Sequence, residues 1–140
     1  MLHAFSRSEE LLGKEGLHTL ADARVAVFGI GGVGSYVTEA LARAGVGTLI
    51  LVDHDEVSLT NLNRQLVALR STMGRKKVLV AKERIMDINQ DAVVHTYDTF
   101  FSKETAGLLI LPHLIMWWMQ WIRYLQNYCL LKWQNRPRYR

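Results

Sequence analysis

Nine residues in one stretch of this chain have the types and spacing needed to hold a nucleotide and act on it. Gly29, Gly31, Gly32 and Gly34 lie in G-I-G-G-V-G, between the apolar run R-V-A-V-F and a segment with helical periodicity. Lacking a Cβ, glycines let a strand turn sharply into a helix. Backbone N–H groups can then close around a phosphate at the helix N-terminus, where the macrodipole favours an anion. Asp53 ends the next apolar run about twenty residues later, the position from which an acid reaches a ribose hydroxyl. Asp55 follows, and either joins that task or satisfies loop amides. Then come N-L-N-R-Q, with Asn61 and Arg64, and G-R-K-K-V, with Lys77.

Two chemistries share a glycine turn followed by an acid. A nicotinamide-dependent oxidoreductase would use them for a dinucleotide and would carry a hydride-transfer site further on. An adenylating enzyme would use them for ATP and must also neutralise a triphosphate, which calls for Arg and Lys beside the phosphates. Arg64 and Lys77 answer that need, whereas Arg75 and Lys76 read as solvated surface.

These residues need a strand–turn–helix frame, and the sequence supplies one. Ser6 or Ser8 is placed to cap a first helix, with Leu11, Leu12, Leu17 and Leu20 on one face, although Gly13 and Gly16 weaken it. Val25 to Phe28 reads as a buried strand, Val33 to Ala44 as a helix stopped by Gly45 and Gly47, and Leu49 to Val52 as a second strand. Asn61 to Leu69 predicts a short helix, Lys76 to Asn89 a longer one, and Val93 to Tyr97 a third strand. The alternation predicts an α/β, Rossmann-like doubly wound parallel sheet, truncated after about three strands.

Charge divides the chain. Residues 1–111 carry 12 Lys+Arg against 13 Asp+Glu, while 112–140 carry 5 basic residues and no acid. All four tryptophans and the lone Cys129 also lie in that tail. One cysteine supplies neither a disulfide framework nor a metal-ligand cluster, so no metal site is expected and a reducing cytoplasm is the default. The start lacks the features of a signal peptide, and the run Leu108 to Met119 is too short and too interrupted to span a bilayer. The expected organisation is therefore a helical segment over 1–22, a nucleotide-binding half-domain over 23–111, and a tail over 112–140.

G-I-G-G-V-G, L-V-D-H-D-E-V-S-L-T-N-L-N-R-Q and G-R-K-K-V together resemble the ubiquitin-activating-enzyme-like superfamily of ThiF/MoeB type. The opening F-S-R-S-E-E-L-L-G-K-E-G-L and E-A-L-A-R-A-G-V-G narrow the resemblance to its tRNA threonylcarbamoyladenosine dehydratase branch (TcdA/CsdL type). The resemblance implies that the glycines cradle ATP phosphates, Asp53 holds the ribose, and Asn61, Arg64 and Lys77 surround the triphosphate. Arg7 matches an arginine that in relatives reaches the partner subunit's site, so a homodimer is implied. The implied reaction is ATP-dependent activation of a carboxylate as an acyl-adenylate. In this branch the carboxylate is that of a threonylcarbamoyl group on tRNA, followed by cyclisation with loss of water. A sulfur-transfer protein partner is compatible with the branch. The alternatives are a ThiF/MoeB-type enzyme acting on the C-terminus of a sulfur-carrier protein, and an inactive nucleotide-binding fragment.

Relatives continue into a fourth strand and an acidic D-A-x-D segment that holds Mg2+; here the matching stretch contains no acid. Met and Trp have single codons, so Met116 to Met119 fixes the DNA as ATGTGGTGGATG. Read from its third base and on through Ile122, it spells V-V-D-A-(M or V)-D. The tail therefore reads as out-of-frame translation, with the metal-binding acid missing. A sheet left without its later strands should expose an apolar edge and face, fold poorly and show little activity.

Overall fold

The computed structural model describes residues 4–100 and the backbone of one further strand, Met116–Met119. Four parallel strands form the sheet: β1 (Arg24–Phe28), β2 (Thr48–Val52), β3 (Val93–Tyr97) and β4 (Met116–Met119), in the order β3-β2-β1-β4. The α/β Rossmann-like parallel sheet is the architecture expected. β3 has the expected bounds, and β1 and β2 each begin one residue earlier. The fourth strand comes from the segment read as tail. It pairs with β1 from Val25↔Met116 to Phe28↔Met119, so β1 lies inside the sheet.

Among the described residues three α-helices accompany the strands: α1 (Ser6–Asp22), α2 (Gly32–Ala44) and α3 (Lys77–Ile88). Val25, Val27, Leu49, Leu51 and Val94 of the strands share one core with Ala42 of α2 and Val78, Ala81 and Ile85 of α3. The alternate strand residues Ala26, Phe28, Ile50 and Val52 are buried as well. The expectation of an exposed apolar edge and face is corrected in part: β4 takes the free side of β1 and the second face is buried along β1 and β2, while on β3 the same face stays open, with Val93 52% exposed and His95 exposed. Glu39 of α2 and Arg84 of α3 join the two helices, with Arg43 one turn along α2 on the same carboxylate. The hydrogen bond from Arg84 leads in holding the Glu39 carboxyl below the ordinary range, against the opposing push of burial.

Two further elements depart from the sequence reading. Asn61 to Leu69 is not a helix; the segment is a series of turns between 3₁₀ turns at Leu59–Asn61 and Arg70–Thr72. Thr60, Asn61 and Asn63 offer side-chain bonds that compete with a helix ladder. Neither Ser6 nor Ser8 caps α1, whose N-cap position is Phe5. No α1 residue is buried, because Gly13 (φ 70°, ψ 172°) bends the helix and breaks the leucine face; Leu11 is 88% exposed. Both ends of α1 return to one turn. The Phe5 ring lies against Gly45, and the Gly47 N–H donates to the Leu20 carbonyl at 3.0 Å. A Cβ on Gly47 would overlap the Ala21 carbonyl, so this approach requires glycine.

Candidate functional site

With β2 on one side of β1 and β4 on the other, the carboxyl end of β1 lies at the point where strand order reverses, the usual ligand crevice of such sheets. The glycine turn begins there. Gly29 has φ 87°, a left-handed conformation that glycine adopts without strain, and its N–H donates to the Val52 carbonyl at 2.8 Å. Next to it, the Ile30 N–H donates to Asp53 Oδ2 at 2.5 Å. Gly31 precedes α2, Gly32 opens it and Gly34 is buried in its first turn. The predicted strand–glycine turn–helix unit is therefore present.

Asp53 serves the turn rather than facing solvent. It is buried, and its second oxygen, Oδ1, accepts the Asp55 N–H at 2.8 Å. Asp55 is the accessible acid, its side chain 51% exposed. Its Oδ2 lies 2.7 Å from Lys77 Nζ, and the Lys77 N–H donates to the Asp55 carbonyl at 3.1 Å. The Lys77 side chain is only 5% exposed. A buried ammonium thus sits at the start of α3 with a half-exposed carboxylate at its tip. That hydrogen bond from Lys77 leads in holding the Asp55 carboxyl below its usual range; burial opposes it, while the charges of Lys77, His54 and Lys76 assist. Glycine turn, Asp53, Asp55 and Lys77 form one continuous hydrogen-bonded chain.

Arg64 approaches from the other side. A Cβ on Gly32 would lie 3.5 Å from Arg64 Cγ and Cδ, so the arginine stem lies beside the opening of α2. Its Nη1 donates to the Thr60 carbonyl and to Asn63 Oδ1, exposed bonds that a phosphate could replace. Asn61 is buried beneath this turn. Its Oδ1 accepts the Ser58 N–H at 3.0 Å, and its carbonyl accepts the N–H groups of Arg64 and Gln65. Arg7 stands apart in the first turn of α1, 94% exposed beside Glu10 at 3.7 Å.

Asp53, His54 and Asp55 can each bring one ligand atom within 4.8 Å of the others. They do not fit Mg2+: the Asp53 oxygens are occupied by backbone amides and Asp55 by Lys77, and this ion prefers oxygen donors in an octahedron.

Two residues escaped the sequence reading. Ser35, 3% exposed in the first turn of α2, accepts the Leu66 N–H on its Oγ at 3.1 Å. Gln65 is buried, with no hydrogen-bond partner for Oε1 among the described residues. The signal for Ser35 was its spacing with Thr38 and Ala42, which puts a hydroxyl on the buried stripe of α2.

Comparison with known proteins follows the same lines. The sequence model of the ThiF family matches residues 5–115. The tRNA threonylcarbamoyladenosine dehydratase of Bacillus subtilis (strain 168) is 56% identical over 105 residues, covering 75% of this chain and 41% of the relative. A molybdopterin-synthase adenylyltransferase of Salmonella typhimurium is 39% identical over 99 residues, covering 71% and 40%. The crystal structure of the E. coli tRNA N6-threonylcarbamoyladenosine dehydratase with ATP superposes with a TM-score of 0.74 at 43% identity, covering 75% of this chain and 43% of that one. The chain therefore spans about two fifths of the length of these relatives.

Proposed function

Because the chain belongs to the ThiF family, we propose that it forms the ATP-binding part of an adenylating enzyme whose substrate is threonylcarbamoyladenosine in tRNA. The carboxylate of that group would be activated as an acyl-adenylate with release of pyrophosphate. A nucleophilic atom of the same threonylcarbamoyl group would then attack the acyl carbon and expel AMP, so that the group has lost the elements of water overall. The observation that carries this reading is the pair of cations at the glycine turn. Arg64 lies against Gly32, and Lys77 is joined to the turn through Asp55, Asp53 and the Ile30 amide. Such preorganised charge is what a triphosphate and its departing pyrophosphate require. Identity of 56% to a threonylcarbamoyladenosine dehydratase, against 39% to a molybdopterin-synthase adenylyltransferase, favours the tRNA substrate over a carrier protein.

In this reading the two acids share the work. Asp53 holds the turn in shape, while Asp55, half-exposed with Lys77 on its Oδ2 and His54 3.3 Å from its Oδ1, is the acid that a ribose hydroxyl can reach. Asn61 acts beneath Arg64, on the turn that carries it. The exposed Arg7 suits a reach into a second copy of the chain, as a homodimer would require.

Residues 112–140 are read as out of frame, and β4 supports that reading. The codons of Met116–Met119, read from the third base, place an acid beside the carboxyl end of β1, next to the glycine turn. As written, the chain would bind ATP without turning it over, since the charge that an acid-held metal would supply is missing. The test is to sequence the coding DNA with its downstream flank. The frame-restored protein is then assayed for ATP-dependent conversion of threonylcarbamoyladenosine in tRNA to its cyclic form. Cyclic product from that protein, and none from the chain as written, is the expected result. A corrected protein that ignores tRNA but adenylates a carrier protein overturns the substrate assignment.

A further inference from the structure

We propose that Ser35 is a positioning residue, whose hydroxyl ties the start of α2 to Leu66 and thereby sets Arg64 over the glycine turn. Its functional consequence rests on the nucleotide reading above.

The segment from Ser58 to Leu66 is closed by its own bonds. Ser58 N–H reaches Asn61 Oδ1, and the N–H groups of Arg64 and Gln65 both reach the Asn61 carbonyl. It is thus a compact unit with Arg64 on its surface, resting on the core through Leu62 and through Val67 and Ala68 just beyond it. What holds that unit against α2 is a separate matter. The Arg64 stem touches Gly32, but a flexible side chain crossing a glycine fixes nothing. The bond from the Leu66 N–H to Ser35 Oγ, at 3.1 Å, joins residues 31 apart in sequence and lies two residues beyond Arg64. Ser35 is itself rigid, buried on α2 with its own N–H donated to the Gly31 carbonyl at 3.0 Å. One end of the tie is therefore the phosphate turn and the other is the backbone that carries the arginine. A displacement of about 1 Å in such a group is enough to cost a large part of its effect on a reacting phosphate.

The test uses the full chain and its Ser35→Ala, Arg64→Ala and double variants. It measures ATP and AMP affinity together with hydrogen exchange at the Leu66 amide. Ser35→Ala is expected to weaken ATP about fivefold, to leave AMP within about twofold, and to add nothing in the Arg64→Ala background. Exchange at Leu66 should rise about tenfold, with the amides of α2 unchanged. Ser35→Cys keeps a weak acceptor on a slightly larger side chain, so it should fall between serine and alanine, and it replaces Ser35→Ala if that variant does not fold. Equal weakening of ATP in both backgrounds makes Ser35 merely structural and overturns the proposal. Unchanged Leu66 exchange overturns it too. If the parent chain binds no ATP, the nucleotide reading fails. The tie is then judged by trypsin cleavage after Arg64, faster in Ser35→Ala if the proposal holds and unchanged if it does not.

Discussion

Removing Asp55 should harm this fold more than removing its partner Lys77. The two charges meet at 2.7 Å, a gross attraction of about 6 kcal/mol at an effective dielectric near 20, most of which offsets desolvation. The asymmetry lies in burial, since the lysine side chain is 5% exposed and the aspartate 51%. Asp55→Ala leaves a buried ammonium without its partner. A fully enclosed pair broken this way costs about 3–5 kcal/mol, and water entering past the half-open carboxylate position lowers that to about 2 kcal/mol. Lys77→Met instead leaves a carboxylate that water can hydrate, at a cost nearer 0.5 kcal/mol. For a domain of about 100 residues the first change lowers Tm by about 8–16 °C and the second by about 2–4 °C. The double variant should return close to Lys77→Met, since the stranded charge is gone. Thermal and urea unfolding of the four proteins decides the matter. Equal losses for the two single variants, or additive losses in the double, would refute the assignment of Lys77 as a buried charge held by Asp55.

Arg64→Lys should weaken ATP about tenfold, because an ammonium cannot fork across a phosphate, while Tm stays within about 2 °C at so exposed a site; equilibrium titration and a thermal scan check both. Gly47→Ala should cost about 1–3 kcal/mol through its overlap with the Ala21 carbonyl. Gly74→Ala, which meets nothing within 4 Å, should cost about 1 kcal/mol from its φ of +74° alone; denaturant midpoints compare them. Glu39 and Asp55 both titrate below their ordinary range in the folded chain, so the unfolded chain binds more protons as pH falls. Their contribution is complete above the ordinary carboxylate range near pH 4–5 and is lost as pH drops through the lowered folded values. Glu39→Gln should therefore reduce stability at pH 7 and flatten the acid limb of the stability curve.

The glycine turn and strands β1 to β3 were legible because several signals agreed there: apolar runs, glycines at the turn and an acid at the next strand end. Agreement failed where side chains compete with the backbone. Asn61 reads as the start of a short helix but closes a turn instead, its Oδ1 accepting the Ser58 N–H. The leucines of α1 have helical spacing, yet a left-handed glycine between them sends the two arms in different directions. The division of labour between Asp53 and Asp55 was hidden for another reason: spacing brings an acid to a strand end but does not say which amides will occupy its oxygens. β4 escaped because parallel pairing is made by backbone groups, which M-W-W-M supplies as well as any other four residues.

The seating of both ends of α1 on the Gly45–Gly47 turn has a consequence during synthesis. α1 has no completed seat when it leaves the ribosome, because its dock is made of residues about 25 positions later. At about 5–20 residues per second, it waits roughly 1–5 s with Leu17 and Leu20 uncovered, the two of its leucines that are partly covered in the finished fold. A nascent-chain-binding factor would therefore meet this arm before its seat exists, and its release would be timed by emergence of the turn after α2. Slowing translation between codons 22 and 47 should lengthen that exposure without changing the finished fold.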